Sequence, residues 1–187
     1  MDILHNFLVY INTLDRNILD FIQDNMRNPF LDRVMPFITA LGNGGIFWIL
    51  LCIILLITKK YRKAGMVCAL SLIITTILGD GIIKNLVQRS RPFMQDANMV
   101  LLIAKPITFS FPSGHTASSF AAAAALSTYI KPYGKLFFIP AVLIAFSRLY
   151  LYVHFPSDIL GGIILGIVGF KLGDVFYKKI IKSRINS

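Results

Sequence analysis

Apolar residues run almost without interruption through five stretches of the chain: Asn43–Thr58, Ala64–Ile83, Gly114–Ile130, Leu136–Val153 and Asp158–Tyr177. Each approaches the roughly 20 residues with which an α-helix crosses the hydrocarbon of a bilayer. The second runs on as a helix toward Gln88. The pattern predicts an all-α fold, an integral membrane bundle of about five to six transmembrane helices in a single domain. Ahead of the first span the pattern changes. Ile3, Leu4, Phe7, Leu8, Ile11, Leu14, Ile18, Leu19, Phe21 and Ile22 recur at helical spacing with acids between them, which predicts an amphipathic helix in the membrane interface. A second short helix is predicted from Pro29 to Leu41, broken by Gly42, Gly44 and Gly45. The chain thus divides into an interfacial region, 1–42, a transmembrane core, 43–177, and a basic tail, 178–187.

Composition supports that picture. Of 187 residues 56% are hydrophobic, with a mean hydropathy of +0.68, above the content of about 45–50% usual in soluble domains. A net charge of +10 would suit nucleic acid if it formed one contiguous face. Instead Lys59, Lys60, Arg62 and Lys63 fall between the first two spans, and Lys131 and Lys135 between the third and fourth. Lys178, Lys179, Lys182 and Arg184 follow the fifth. With five spans these all lie on one side, which the positive-inside rule makes cytoplasmic. The expected partner is therefore the lipid bilayer of the cytoplasmic membrane, not nucleic acid. The extracytoplasmic side receives Gln88–Pro112 and the short His154–Ser157 turn. Cys52 and Cys68 lie inside apolar spans without partner spacing and read as small buried hydrophobes. Met1–Asn25 carries Asp2, Asp15, Arg16, Asp20 and Asp24 and lacks a continuous apolar core, so no cleavable leader is read there. Small residues at Ala121–Ala125 would let helices approach closely.

Three constellations fall on the outer side. Lys84 stands seven positions before Arg91-Pro92, nearly two turns, so both project from one face if the helix runs that far; snorkelling span-end cations are the plainer alternative. Asp80, one turn earlier, is placed to pair with Lys84. Phe111-Pro112-Ser113-Gly114-His115 opens the third span. Ser113 suits a helix N-cap, Gly114 lets a ligand approach the backbone, and free N–H groups there make an anion site facing His115. The plainer alternative is a capped helix with an incidental histidine. In the third, Ser147-Arg148 precedes His154, and Asp158 follows four residues later across Pro156-Ser157. A carboxylate so placed can hold one imidazole nitrogen and leave the other free, as a nucleophilic or general-base histidine requires. Arg148 and His154, six residues apart, would differ by about 240° on an ideal helix, so local geometry must bring one of them round. Ionisable residues from four spans on one face are expensive near a membrane and read together as a phosphate site.

The set Lys84-x6-Arg91-Pro92, Pro112-Ser113-Gly114-His115 and Ser147-Arg148-x5-His154-x3-Asp158 resembles, in order and spacing, the three signature motifs of the type-2 phosphatidic acid phosphatase superfamily. The resemblance implies a membrane lipid phosphatase. His154 would be the nucleophile forming a phosphohistidine, Asp158 its orienter, and His115 the general acid and later base. Lys84, Arg91, Arg148, Ser113 and Gly114 would form the phosphate cradle. It implies no metal and no cofactor. The substrate would be a lipid (di)phosphate: undecaprenyl diphosphate leads, with phosphatidic acid or phosphatidylglycerol phosphate as the alternative.

Overall fold

The computed structural model describes residues 2–96 and 99–181, which contain helices and turns and no strand. The helices are α1 (Asp2–Met26), α2 (Pro29–Leu41), α3 (Ile46–Ile57), α4 (Arg62–Thr76), α5 (Lys84–Val87), α6 (Gly114–Tyr129), α7 (Phe138–Tyr150) and α8 (Pro156–Phe176). A π-helical turn, Ile77–Ile83, joins α4 to α5. The membrane bundle expected from the apolar pattern is the architecture found. Among the described residues three largely helical stretches are long and apolar enough to cross a bilayer: Lys59–Met94, Tyr133–Tyr150 and Pro156–Lys179. The α2–α3 pair, bent by 48°, is long and apolar enough only when its two helices are taken together, as a broken span or a re-entrant loop. Its break is the Asn43-Gly44-Gly45 turn, where Gly44 and Gly45 adopt φ of +57° and +69°, a region that side chains disfavour. Asn28 starts α2 by accepting from the N–H groups of Phe30 (3.1 Å) and Leu31 (3.0 Å), a cap worth about 1 kcal/mol.

Helix α6 spans only 16 residues and is the centre of the bundle, packed against α4, α7 and α8. Ala121, Ala122, Ala123, Ala125 and Leu126 are all fully buried. A helix covered by protein on every side has no lipid to match, which is why it tolerates Ser118, Ser119 and Thr116. Trp48 of α3 donates to Ser119 Oγ at 2.9 Å, so the buried indole N–H is satisfied. Cys52 and Cys68 are buried free thiols, as their apolar surroundings suggested.

Close approach to α6 comes from α8. Gly162, Gly166, Gly169 and Gly173 recur every three or four residues and so share one helix face. A Cβ on Gly162 would lie 2.8 Å from the Ser113 carbonyl oxygen, one on Gly166 2.5 Å from that of Ala117, and one on Gly173 2.9 Å from the Ser71 nitrogen. Backbone therefore packs on backbone along α8, the small-residue packing that bilayer helices favour.

Lys63 lies over the rings of Tyr129 (4.7 Å) and Tyr177 (5.8 Å), and Tyr129 hydroxyl bonds Asp174. These contacts gather the start of α4 and the ends of α6 and α8, with their basic residues, at one end of the bundle. Lys182 and Arg184 of the basic tail lie outside the described residues. The opposite end holds α5, the start of α6, and the α7–α8 turn. The amphipathic α1 packs against α7 and α8 there. Leu19 and Ile22 face the protein, while Ile3, Phe7, Leu8 and Phe21 are exposed.

The π turn changes the phase of the long helix. Along α4 the buried positions are Ala64, Gly65, Val67, Cys68, Ser71, Leu72 and Thr75, a 3.6-residue stripe that would continue through Ile82 and Leu86. Both of those are exposed, and Lys84 is buried instead. Closing i→i+5 places an additional residue in the turn and rotates Lys84 inward.

Gly166→Val is expected to lower the melting temperature in detergent sharply or abolish folding, an overpacking cost of about 1–3 kcal/mol or more. Gly81→Ala, where a Cβ would meet nothing within 4 Å, is expected to change it by no more than about a degree or two. Equal melting of the two variants would count against the packing described.

Candidate active site

At that end, opposite the basic one, a cavity of about 700 Å³ is lined by Lys84, Arg91, Gly114, His115, Arg148 and His154, with Asp80, Asn85 and Thr108 among its other walls. Six of the eight residues singled out in the sequence thus face one space. The other two stand directly behind it. Asp158 and Ser113 are both fully buried.

His154 is 1% exposed, in the turn between α7 and α8. Its Nε2 lies 3.2 Å from Arg91 Nη1 and its Nδ1 3.4 Å from Asp158 Oδ2. A guanidinium can only donate and a carboxylate can only accept. The proton must therefore sit on Nδ1, toward Asp158, and the Nε2 lone pair faces Arg91 and the cavity. Burial pushes the imidazole down to about 3, against the upward pull of the Asp158 hydrogen bond, so the ring is neutral at ordinary pH. Asp158 lies in the first turn of α8, where its Oδ2 also accepts from the Phe155 N–H (2.8 Å) and from Ser110 Oγ (2.5 Å). Its Oδ1 accepts from Arg89 Nη1 at 2.7 Å.

Local backbone geometry solves the 240° mismatch between Arg148 and His154. Helix α7 stops at Tyr150, and Tyr152 takes φ of +58°, a left-handed conformation costing roughly 1–2 kcal/mol for such a residue. That reversal carries His154 back over the end of α7, with Val153 N–H donating to the Arg148 carbonyl at 3.2 Å. Arg148, 3% exposed, donates Nη1 to Thr39 Oγ1 at 2.6 Å, while its buried Nε has no partner.

Arg91 is brought in differently from the helix-face expectation. Helix α5 ends at Val87, and Gln88 turns left-handed at φ +49°, so Arg91 lies outside the helix. The arginine then spends its donors on the Thr108 carbonyl (2.7 Å), the Val153 carbonyl (2.8 Å), Thr108 Oγ1 (3.1 Å), the Phe109 carbonyl (3.2 Å) and His154. Lys84 pairs with Asp80 at 2.6 Å, the one-turn pairing its spacing allowed.

Ser113 caps α6 as predicted, accepting from Thr116 N–H at 3.4 Å and Thr116 Oγ1 at 2.9 Å. Gly114 stands where a side chain would crowd Asp80 and Lys84, a Cβ falling 3.2 Å from Asp80 Oδ1. His115 shares a hydrogen bond between Nε2 and Asn43 Oδ1 at 2.9 Å. Because an amide oxygen only accepts, Nε2 carries the proton and the neutral ring keeps its lone pair at Nδ1. Sequence reasoning missed Asn43, Ser110 and Arg89. The Gly-rich break after Asn43 was visible, but neither Ser110 nor Arg89 carries a spacing signal of its own.

The PAP2 superfamily model matches residues 63–181, the stretch that carries all of these groups except Asn43 and Thr39. The chain belongs to the PAP2 superfamily. Among curated PAP2 relatives, undecaprenyl-diphosphatase of Sulfolobus acidocaldarius is 36% identical over 137 residues, covering 73% of this chain and 66% of that protein. Phosphatidylglycerophosphatase B of Bacillus subtilis is 31% identical over 171 residues, covering 85% and 81%. Among solved structures, LpxE of Aquifex aeolicus superposes with a TM-score of 0.75 at 30% identity, over 86% of this chain and 94% of that one. The first transmembrane PAP2-type phosphatidylglycerolphosphate phosphatase from Bacillus subtilis gives 0.70 at 28% identity, over 91% and 88%.

Gly42 leaves room for the His115 ring, since a Cβ there would lie 2.6 Å from His115 Cδ2 and 2.9 Å from Ile144 Cγ2. Gly42→Ala is expected to cut kcat by about tenfold or more while the protein still elutes as a folded species in detergent. Unchanged kcat would show that the ring position is not set there.

Proposed function

We propose that this membrane lipid phosphatase of the PAP2 superfamily removes the terminal phosphate of undecaprenyl diphosphate through a phosphohistidine on His154. One observation carries the reading. The unprotonated Nε2 of His154, held only by an Arg91 N–H, opens on a cavity whose wall holds the buried Arg148 guanidinium, which among the described residues has no carboxylate partner and an unsatisfied Nε. A buried cation left unpaired is costly, and a phosphate supplies the missing anion. In this reading Nε2 attacks phosphorus while Arg91 passes its His154-directed N–H to a phosphate oxygen. His115, neutral in the empty cavity, takes a proton onto Nδ1 from the phosphate monoanion as it binds; the P–N bond then forms as the bond to the leaving oxygen breaks, and His115 gives that oxygen the proton. Water then attacks the phosphohistidine, losing a proton to His115. Asp158 opposite Nδ1 balances the charge that grows on the ring. Lys84, Arg148 and the Gly114 N–H stabilise the phosphoryl oxygens without reorganisation, and Ser113, standing behind the cavity wall, caps the helix end that presents that N–H.

The lipid tail has a place to go. An apolar groove of about 430 Å³ between α3 and α4, lined by Cys52, Ile53, Leu56 and Ile73, shares Ile49, Leu72 and Thr76 with the cavity. A chain of isoprene units fits such a groove with its diphosphate in the polar end. A phosphatidic acid or phosphatidylglycerol phosphate substrate is the second reading, favoured by the similarity to the Bacillus subtilis phosphatidylglycerophosphatase over 85% of this chain. The basic residues at the far end of the bundle favour an active site on the extracytoplasmic face of the cytoplasmic membrane.

Phosphate release by the protein in detergent, compared by kcat/KM across undecaprenyl diphosphate, phosphatidic acid and phosphatidylglycerol phosphate, is expected to favour the first by about tenfold, or 1.4 kcal/mol. His154→Ala is expected to retain less than about a hundredth of the activity. Substantial turnover by that variant would remove the nucleophile assignment, and a preference for either glycerolipid would give the second reading. Ile107, fully exposed at the cavity mouth, tests orientation. Ile107→Cys is expected to react with a membrane-impermeant thiol reagent in intact cells, and reaction only after permeabilisation would reverse the topology.

A further inference from the structure

Helix α1 precedes the stretch that the superfamily model matches, and Ile3, Phe7, Leu8 and Phe21 are exposed along it. On its inner side sits one carboxylate, Asp15, only 3% exposed. Such a burial demands partners, and Asp15 has three. Its Oδ1 accepts from the Ser157 N–H at 2.8 Å, and its Oδ2 from Ser157 Oγ at 2.5 Å and Arg89 Nη2 at 2.7 Å. The other side of the Arg89 fork donates Nη1 to Asp158 Oδ1 at 2.7 Å and to Ser157 Oγ at 2.6 Å. Nη2 also reaches Asn12 Oδ1 at 3.1 Å, and the guanidinium lies 4.1 Å over the Phe155 ring. Every polar end of this fork except Nε is therefore fixed. It joins a residue of the interfacial helix to the carboxylate that faces His154. Neither Asp15 nor Arg89 lines the cavity.

We infer that Asp15 and Arg89 are positioning residues for the phosphohistidine reaction, holding the Asp158 carboxylate in register with His154 Nδ1. The inference rests on the assignment of His154 as nucleophile. Two physical effects combine. Arg89 pins Asp158 Oδ1, which leaves Oδ2 as the oxygen turned toward the imidazole. Alone, an arginine there would also neutralise Asp158 and weaken its hold on a ring that is becoming positive. Asp15 takes the opposite edge of the same guanidinium and offsets that charge. Asp15, Arg89, Asp158 and neutral His154 sum to one negative charge, which the positive ring cancels when the P–N bond forms. Without Asp15 the same step would leave the cluster with a net positive charge in a buried site. Docking of α1 thereby becomes part of the catalytic apparatus.

Asp15→Asn keeps the shape and removes the charge, at the cost of turning one of the two accepting oxygens into a donor. It is expected to lower kcat by about tenfold with KM for undecaprenyl diphosphate within about twofold, since neither group meets substrate. Rapid-quench measurement of phosphohistidine formation is expected to slow by the same factor. Arg89→Gln, which changes no residue of α1, is expected to lower kcat likewise. In the Arg89→Gln background Asp15→Asn is expected to add little, because Asp15 acts through Arg89. A purely structural tie would instead lower the melting temperature and leave kcat and the phosphorylation rate within about twofold, which would overturn the inference. Should Asp15→Asn fail to fold, the Arg89→Gln result decides by the same criteria. His154→Ala and Asp158→Asn run alongside separate the two failures. Activity in His154→Ala would bring down the nucleophile assignment. Inactive His154→Ala and Asp158→Asn beside fully active Asp15→Asn and Arg89→Gln would bring down the positioning role alone.

Discussion

Arg91 can only donate hydrogen bonds, and at 3% exposure every one of its N–H groups needs an acceptor. Four acceptors come from two places: the Thr108–Phe109 stretch of the outer segment and the Val153 carbonyl of the α7–α8 turn. The fifth is His154. That single set of obligations ties the long outer segment to the turn and orients the imidazole at once. Asp158 completes the arrangement from the other side, because a carboxylate offers Nδ1 nothing but an acceptor. The tautomer of a buried histidine is thus determined by a neighbour that cannot accept and another that cannot donate.

Such an assembly of charge needs a rigid support, and the bundle supplies it with residues that have almost no side chain. The glycine face of α8 and the alanine run of α6 bring backbones to within a methyl group of each other. Two of the helices that meet so closely open with the residues of the site: α6 begins at Gly114-His115, and Asp158 is in the first turn of α8. Close packing below therefore fixes the relative position of the α6 N-terminus and the histidine partner above. A loosened core would separate them before it unfolded anything.

The sequence made most of this legible because three of its signals are local. Ser113 as a cap, Asp80 pairing with Lys84, and Asp158 four residues after His154 each follow from the spacing of a helix or turn. The bundle itself was legible from apolar run length, except that α6 is a protein-covered centre of 16 residues rather than a lipid-facing span. What spacing could not convey were backbone reversals and long-range partners. Gln88 and Tyr152 in the left-handed region put Arg91 and His154 where no helical wheel would. Asp15 read as one of several acids on an amphipathic helix, and only its burial against Ser157 and Arg89 sets it apart. Asn43 lay in a glycine-rich break that predicted a bend and gave no hint of a histidine beyond it.

The π turn at Ile77–Ile83 has a bearing on how the chain tolerates insertion and deletion. A helix that enters with one face inward and leaves with another has a register that is counted, residue by residue, from the basic end to the cavity end. Losing one residue anywhere in that turn would restore an uninterrupted helix, with hydrogen bonding and apolar content almost unaffected. It would also swing Lys84 by about 100° toward lipid. The segment is therefore insensitive to most exchanges of one apolar residue for another and acutely sensitive to length, an arrangement in which the number of residues carries information that their identities do not.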